Sequence, residues 1–383
     1  MNRQGSWSST PSPQKRSSSP RAAGVFRDRV LTALAWAPFK HIGIPAVFLL
    51  ALAPALYSVF KRSTPAPRKA IVAGEEASPT ADRADRPNPI RRLQVPKEDD
   101  PFYEPFTQMT VQIQRMAEEH PGQAGIYLKD LERGWEWTYH ADDLFGSASL
   151  VKVPIMIAVF EKIQRGELYL SSNLSLRRRT RMGGSGSLKW RRDGAVFTVR
   201  KLLDTMIHES DNTAMRMLLD EIGLGFVQEL LPRLGLVYTE IYPDGLTLAS
   251  GYVRQENYTT AREMASMLEN IYRGQVVDRF ASELMLEIMK GHRTRARLAR
   301  NLPVGWEIAH KTGLLRRACH DAAVIFSPYG DYLLVILTGR NQSYWTAKEF
   351  IMDVGRVTYR TYGSQSHDYA KAFGRPSQRS RSE

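Results

Sequence analysis

Apolar residues recur along this chain with two periods, and the change from one to the other outlines an architecture. At spacings of three and four they mark amphipathic helices over residues 106–119, 198–208, 213–221, 226–234, 260–272, 279–290 and about 343–361. Thr260-Ala-Arg-Glu263 has the form of a capping box and marks one of these helix starts. Short runs rich in Val, Ile, Tyr and Trp read as strands over 124–129, 135–140, 306–311, 320–327 and 332–338. Turn residues at 131–134 and 328–331 separate neighbouring strands, and the first pair reads as a β-hairpin. Strands at both ends with helices between them predict one sheet completed from both ends of the domain, plus a helical insert. That is an α+β layer arrangement.

One predicted helix departs from the amphipathic pattern. From Ser149 onward, Leu150, Val151, Val153, Ile155, Met156, Ile157, Val159 and Phe160 are apolar on nearly every side, which predicts burial. Ser149 and Lys152 lie three residues apart and so share a helical face. A lysine held in such surroundings loses hydration and is pushed toward its neutral amine. A neutral amine beside a serine hydroxyl can take its proton and make it a nucleophile. The spacing alone carries little, because it also occurs at Ser12–Lys15 and Ser58–Lys61, in a Ser/Pro-rich tail and at the end of an apolar run.

Two further motifs give that pair its meaning. Ser210-Asp-Asn212 lies between two helical patterns, and Lys311-Thr-Gly313 ends a predicted strand. The order Ser-x-x-Lys, Ser-Asp-Asn, Lys-Thr-Gly resembles the class A serine β-lactamases and the related penicillin-binding proteins. Gly184-Ser-Gly-Ser-Leu188 and Asn257-Tyr-Thr-Thr260 are smaller similarities, and the resemblance spans roughly residues 101–362. It implies a β-lactamase-like fold: an antiparallel sheet formed by both ends of the domain, flanked by helices, with an all-helical subdomain. It implies catalysis by Ser149 as nucleophile, Lys152 as the group that receives its proton, Ser210 as proton relay and Lys311 beside it. Asn212, Thr312, Gly313 and Leu314 would lie on the substrate, with the backbone N–H groups of Ser149 and Leu314 as oxyanion hole. The implied substrate is a β-lactam or an acyl-D-alanyl peptide of the cell wall. A D-alanyl-D-alanine carboxypeptidase-like enzyme and a non-hydrolytic penicillin- or wall-binding domain are the alternatives.

The chain also departs from that family's pattern. Class A enzymes carry a Glu-x-x-Leu-Asn stretch whose glutamate positions the deacylating water. Residues 236–257 contain no such stretch. Asp244 falls nearest the missing glutamate, one methylene shorter, within a Pro243-Asp-Gly245 turn sequence. Glu240 and Glu256 are the other acids within reach.

The rest of the chain places the domain. Residues 1–41 are rich in Ser, Pro and Arg, with seven Lys/Arg against the single acid Asp28, the composition of a disordered tail. Residues 42–60 run nineteen positions without a charge, enough to cross a bilayer. The expectation is an uncleaved anchor with its N-terminus in the cytoplasm and the catalytic domain outside. A signal peptide cleaved after Ala51-Leu-Ala53 is the competing reading, disfavoured by Pro54. Residues 61–100 read as a linker, 101–362 as the folded domain and 363–383 as a second disordered tail. The net charge of +13 is scattered and lies largely outside the domain, which argues against nucleic-acid binding. Cys319 is the only cysteine, so no intramolecular disulfide forms. His208, Glu209, His310 and His320 lack metal-ligand spacing; no metal or cofactor is expected, and the domain is expected to be a monomer.

Overall fold

A five-stranded antiparallel sheet, in the order β2 (Glu136–Tyr139), β1 (Gln123–Asp130), β9 (Tyr332–Gly339), β8 (Cys319–Phe326) and β7 (Glu307–Leu314), separates two hydrophobic cores. The computed structural model describes residues 99–243, 245, 255–293 and 295–373. The chain divides into two units, 1–89 and 90–383, and all described residues belong to the second. Segment 42–60 and Asp244 both lie outside the described residues. Among the described residues no helix is long and apolar enough to cross a membrane.

β1 pairs with β9 from Gln123↔Gly339 to Asp130↔Tyr332, which joins the two ends of the domain as the pattern predicted. Both faces of β9 are covered. Leu333, Val335 and Leu337 enter one core, and Tyr332, Leu334 and Ile336 enter the other, as the two-residue period of a strand requires. The second core is closed by α1 (Tyr103–Glu119) and by the last helix, α8 (Tyr344–Phe373). In α1, Phe106, Met109, Thr110, Ile113 and Ala117 form the buried stripe. Helix α8 continues past 362, where the domain was expected to end. Gly363 disfavours a helix by only about 1 kcal/mol, and no proline follows until Pro376.

The first core belongs to the helical subdomain: α2 (Lys152–Gln164), α3 (Val199–His208), α4 (Asn212–Ile222), α5 (Leu224–Arg233), α6 (Ala261–Tyr272) and α7 (Arg279–Lys290). Every residue of α2 from Lys152 to Phe160 is buried. Three short strand pairings escape the sequence pattern because they hold no more than three residues on a side. β3 (Phe145–Gly146) pairs with β6 (Tyr258–Thr259), β4 (Asn173–Ser175) pairs with β5 (Val196–Thr198), and Glu240 bridges to Tyr258.

Three local expectations are corrected. Ser149 does not open an α-helix; it sits in a 3₁₀ turn, Ala148–Val151, and Lys152 is the first α-helical residue. Lys311-Thr-Gly313 lies inside β7, not at its end, because the strand runs on to Leu314. The capping box on α6 is half made. Thr260 Oγ1 accepts from the Glu263 N–H at 3.1 Å. The Glu263 carboxylate instead accepts from the N–H groups of Val237 and Tyr238 and from the Thr239 hydroxyl, at 2.6, 2.8 and 2.6 Å. Three loop donors outcompete one cap donor.

Candidate active site

The 3₁₀ turn brings Ser149 and Lys152 together more directly than an α-helix would, since i and i+3 eclipse at three residues per turn. The Lys152 amine stands 3.0 Å from Ser149 Oγ. It also lies 2.6 Å from the Ser210 carbonyl oxygen, 2.7 Å from Asn212 Oδ1 and 3.1 Å from Ser210 Oγ. The two shortest contacts are to carbonyl oxygens, which only accept. A neutral amine therefore directs its two N–H bonds there and leaves its lone pair for Ser149. Burial holds the Lys152 amine down at about 7, and the carboxylate of Asp211 opposes the shift only in part.

Ser210-Asp-Asn212 supplies its three side chains in three directions. Ser210 is held at φ +53°, a left-handed conformation uncommon for a residue with a side chain. Asp211 then caps α4, accepting from the Ala214 N–H at 2.8 Å, and it accepts from the Leu188 N–H at 2.8 Å with its other oxygen. A Cβ at Gly186 would collide with that carboxylate, so the Gly184-Ser-Gly-Ser-Leu188 stretch needs a glycine there. Asn212 donates to the Gly183 carbonyl at 2.9 Å, which orients its amide oxygen toward Lys152.

The Lys311 amine reaches the same Ser210 hydroxyl from the sheet side, at 3.0 Å. It is fully buried, and burial with the nearby amine of Lys152 pushes it well below the ordinary lysine range. A hydroxyl has two lone pairs and one proton. With Lys311 donating to one lone pair, Ser210 keeps its own O–H to donate into the site.

β7 ends the sheet, and its outer edge carries Leu314. Leu315 N–H bonds the Ala318 carbonyl at 2.9 Å, and Leu314 is in register with Cys319. Bonded and non-bonded pairs alternate in an antiparallel ladder, so the Leu314 N–H points away from β8. Gly313 lets this edge close on the turn before Ser149. A Cβ there would lie 2.9 Å from His320 Cδ2, 3.1 Å from Ala148 Cβ and 3.3 Å from the Ser147 oxygen.

Supporting contacts that the motifs did not announce surround these groups. His320 Nδ1 accepts from the Thr338 N–H at 3.2 Å, so its Nε2–H donates to the Gly146 carbonyl at 2.8 Å and pins β3 to β8. Burial holds this imidazole neutral, at about 4. The Asn257 carbonyl accepts from the Ser147 N–H at 2.7 Å while its side-chain oxygen accepts from the Tyr242 N–H at 2.7 Å, joining Tyr242 to the turn that holds Ser149. Thr312 Oγ1 contacts His292 Nε2 at 3.2 Å, and His310 Nδ1 contacts Asp321 at 2.9 Å. His208 bonds the Ile288 carbonyl at 2.8 Å, and Glu209 accepts from Ser187 at 2.7 Å, so both have structural partners. Of the candidate acids, Glu240 is exposed and Glu256 is half-buried beside Gly146.

The arrangement combines a serine with a buried amine, a second hydroxyl shared by two amines, and a backbone N–H at an open strand edge. These are the parts acyl transfer requires. The sequence profile of the beta-lactamase enzyme family matches residues 108–362. Beta-lactamase 3 of Bacillus cereus is 25% identical over 220 residues, covering 56% of this chain and 68% of that one. A beta-lactamase of Rhodobacter capsulatus is 26% identical over 271 residues, covering 66% and 88%. Among solved structures, the beta-lactamase from Sphaerobacter thermophilus aligns with a TM-score of 0.63 at 25% identity, covering 67% of this chain and 98% of that one. A mutant of PBP-A, solved as an acyl-enzyme complex with penicillin G, aligns with a TM-score of 0.62 at 26% identity, covering 67% and 97%.

Proposed function

The chain belongs to the beta-lactamase enzyme family, and from that premise we propose that it forms an acyl-enzyme through Ser149 on a β-lactam or a D-alanyl peptide. The observation that carries this reading is the buried Lys152 amine, held at about 7 and 3.0 Å from Ser149 Oγ. Lys152 takes the serine proton as Oγ attacks the amide carbonyl carbon. The N–H groups of Ser149 and Leu314 receive the oxyanion, a contribution of roughly several kcal/mol for aligned donors. The C–N bond then breaks as the Ser210 hydroxyl donates its proton to the leaving nitrogen. Lys152, now an ammonium 3.1 Å from Ser210 Oγ, restores that proton. Lys311 and Thr312 face the substrate carboxylate, and Asn212 faces its side-chain amide.

Release of the acyl group requires a base for water. Asp244 is the acid that alignment with the capped helix puts nearest, and we assign it that role. A second reading, in which the adduct is trapped and not hydrolysed, is favoured by the missing Glu-x-x-Leu-Asn in residues 236–257. Residues 42–60 serve as a single membrane anchor, holding a monomeric catalytic domain outside the cytoplasmic membrane. Intact-protein mass spectrometry with a penicillin over time tests the reading. A transient adduct on wild type and none on Ser149→Ala is the expected result, and a persistent adduct selects trapping. No adduct on the wild type overturns both.

A further inference from the structure

The folded part of the chain is close to electrically neutral, but one margin of its active site is not. Residues 1–98 and 363–383 carry 20 of the 53 Lys/Arg and 8 of the 40 Asp/Glu, which leaves 33 against 32 in residues 99–362, a net charge of +1. Inside that unit, residues 177–192 hold seven cations and no acid, so everything else in it sums to −6. The fold gathers this charge in one place. Beyond the β4–β5 pair, Leu176 and Ala195 remain bonded at 2.8 Å, and Gly194 and Leu176 at 2.9 Å, so the runs at 177–179 and 191–192 leave the hairpin side by side. Arg181 Nη1 donates to the Lys189 carbonyl at 2.5 Å and ties the two runs together. Arg177, Arg178, Arg179, Arg191 and Arg192 are all exposed.

Trp190, directly before Arg191 and Arg192 in the chain, has 81% of its surface exposed, and the Lys189 amine lies 5.4 Å from its ring centre. A lone exposed aromatic needs no explanation. One carried on a segment with five exposed arginines makes a surface of defined chemistry, with planar forks that match carboxylates and a flat apolar face that can stack on a ring. The lip is also built onto the catalytic groups. Its Gly183 and Ser185 carbonyls accept from the Asn212 side chain and backbone at 2.9 and 3.1 Å, and Asn212 Oδ1 is the partner of Lys152.

We propose that this arginine–tryptophan lip binds a carboxylate-bearing polysaccharide strand and holds it across the mouth of the site, so that acyl groups carried on the strand reach Ser149. The proposal rests on the acyl-transfer reading of Ser149. That reading also selects the occupant. A strand of sugar rings with acidic and amide substituents offers stacking faces, carboxylates and an acyl group to transfer, whereas a nucleic acid or a lipid headgroup offers Ser149 no amide.

The test measures binding of the full-length protein to polygalacturonate, with dextran as uncharged control. The variants are Trp190→Ala and a combined Arg178→Gln, Arg179→Gln, Arg191→Gln, Arg192→Gln protein. The basic tails are common to all three proteins, so differences among them report on the lip. Wild type is expected to bind polygalacturonate in a salt-sensitive manner and to ignore dextran. Removing the four guanidinium groups is expected to weaken binding by about tenfold or more. Trp190→Ala is expected to weaken it several-fold with the salt dependence unchanged. Labelling of Ser149 by a fluorescent penicillin stays at the wild-type level in both variants. Polygalacturonate affinity equal across the three proteins overturns the proposal. So does a loss in the variants confined to phosphatidylglycerol vesicles or to a single-stranded DNA oligonucleotide. Absence of penicillin labelling in the wild type removes the acyl-transfer reading, a result separate from the lip's measured affinity.

Discussion

Lys152 shows how one residue's surroundings set its chemistry. In water a lysine amine is protonated up to about 10.4, and a protonated amine cannot accept the Ser149 proton. Burial lowers the folded value to about 7, so the base form grows as pH rises through that value and is nearly complete above it. Acylation by penicillin is therefore expected to rise about tenfold per unit at acidic pH and to level off above pH ~7, read as rate against pH. A rate flat across that range would exclude Lys152 as the base. Lys152→Arg keeps the charge but cannot supply a free base, and a loss of about 10²-fold or more is expected in the same assay. The residue type and its spacing were legible in the sequence. The Ser149 contact follows from that spacing, whereas the three contacts to Ser210 and Asn212, in another part of the chain, do not.

Among the elements, β7 and α6 act through positions whose role is set by their neighbours. A methyl at Gly313 would press on His320, Ala148 and Ser147 and move the strand edge away from the Ser149 turn. Gly313→Ala is expected to slow acylation by roughly 10²-fold, the scale of an ångström-sized misplacement, with the thermal midpoint lowered by only a few degrees. Near-normal acylation would show that the edge does not form part of the site. Glu263 offers the converse case. Its carboxylate satisfies three donors of residues 237–239, and leaving such donors unpaired costs on the order of 1–3 kcal/mol each. Glu263→Ala should lower the melting temperature and raise amide exchange at 237–239, and unchanged exchange there would refute its role as the loop's anchor. The sequence showed a capping box at this position because Thr260 and Glu263 have the right spacing. The loop that captures the glutamate is distant in sequence and carries no periodic signal.

For the molecule as a whole, the folded domain and the proposed membrane anchor occupy different stretches of the sequence. Residues 99–373 contain both hydrophobic cores and all described elements. The uncharged stretch 42–60 has the length of a bilayer crossing. Full-length protein is expected in the membrane fraction, and protein lacking residues 1–62 is expected to be soluble and still labelled by fluorescent penicillin. Recovery of the full-length product as a soluble species beginning near Pro54 would instead identify a cleaved signal.

The order of the five long strands and of the helices, the buried character of α2 and the proposed groups Ser149, Lys152, Ser210 and Lys311 were legible in sequence alone. Periodicity is a local property, and these motifs are short enough to read without a fold. The tertiary structure decided the rest. It turned Ser149 into a 3₁₀ residue, placed Lys311-Thr-Gly313 within an edge strand and diverted Glu263 from its cap. It also tied two separate basic runs together through Arg181 and Lys189. The Glu263 contacts reach a loop outside its own helix, and such pairings outweigh local preference and leave no periodic trace.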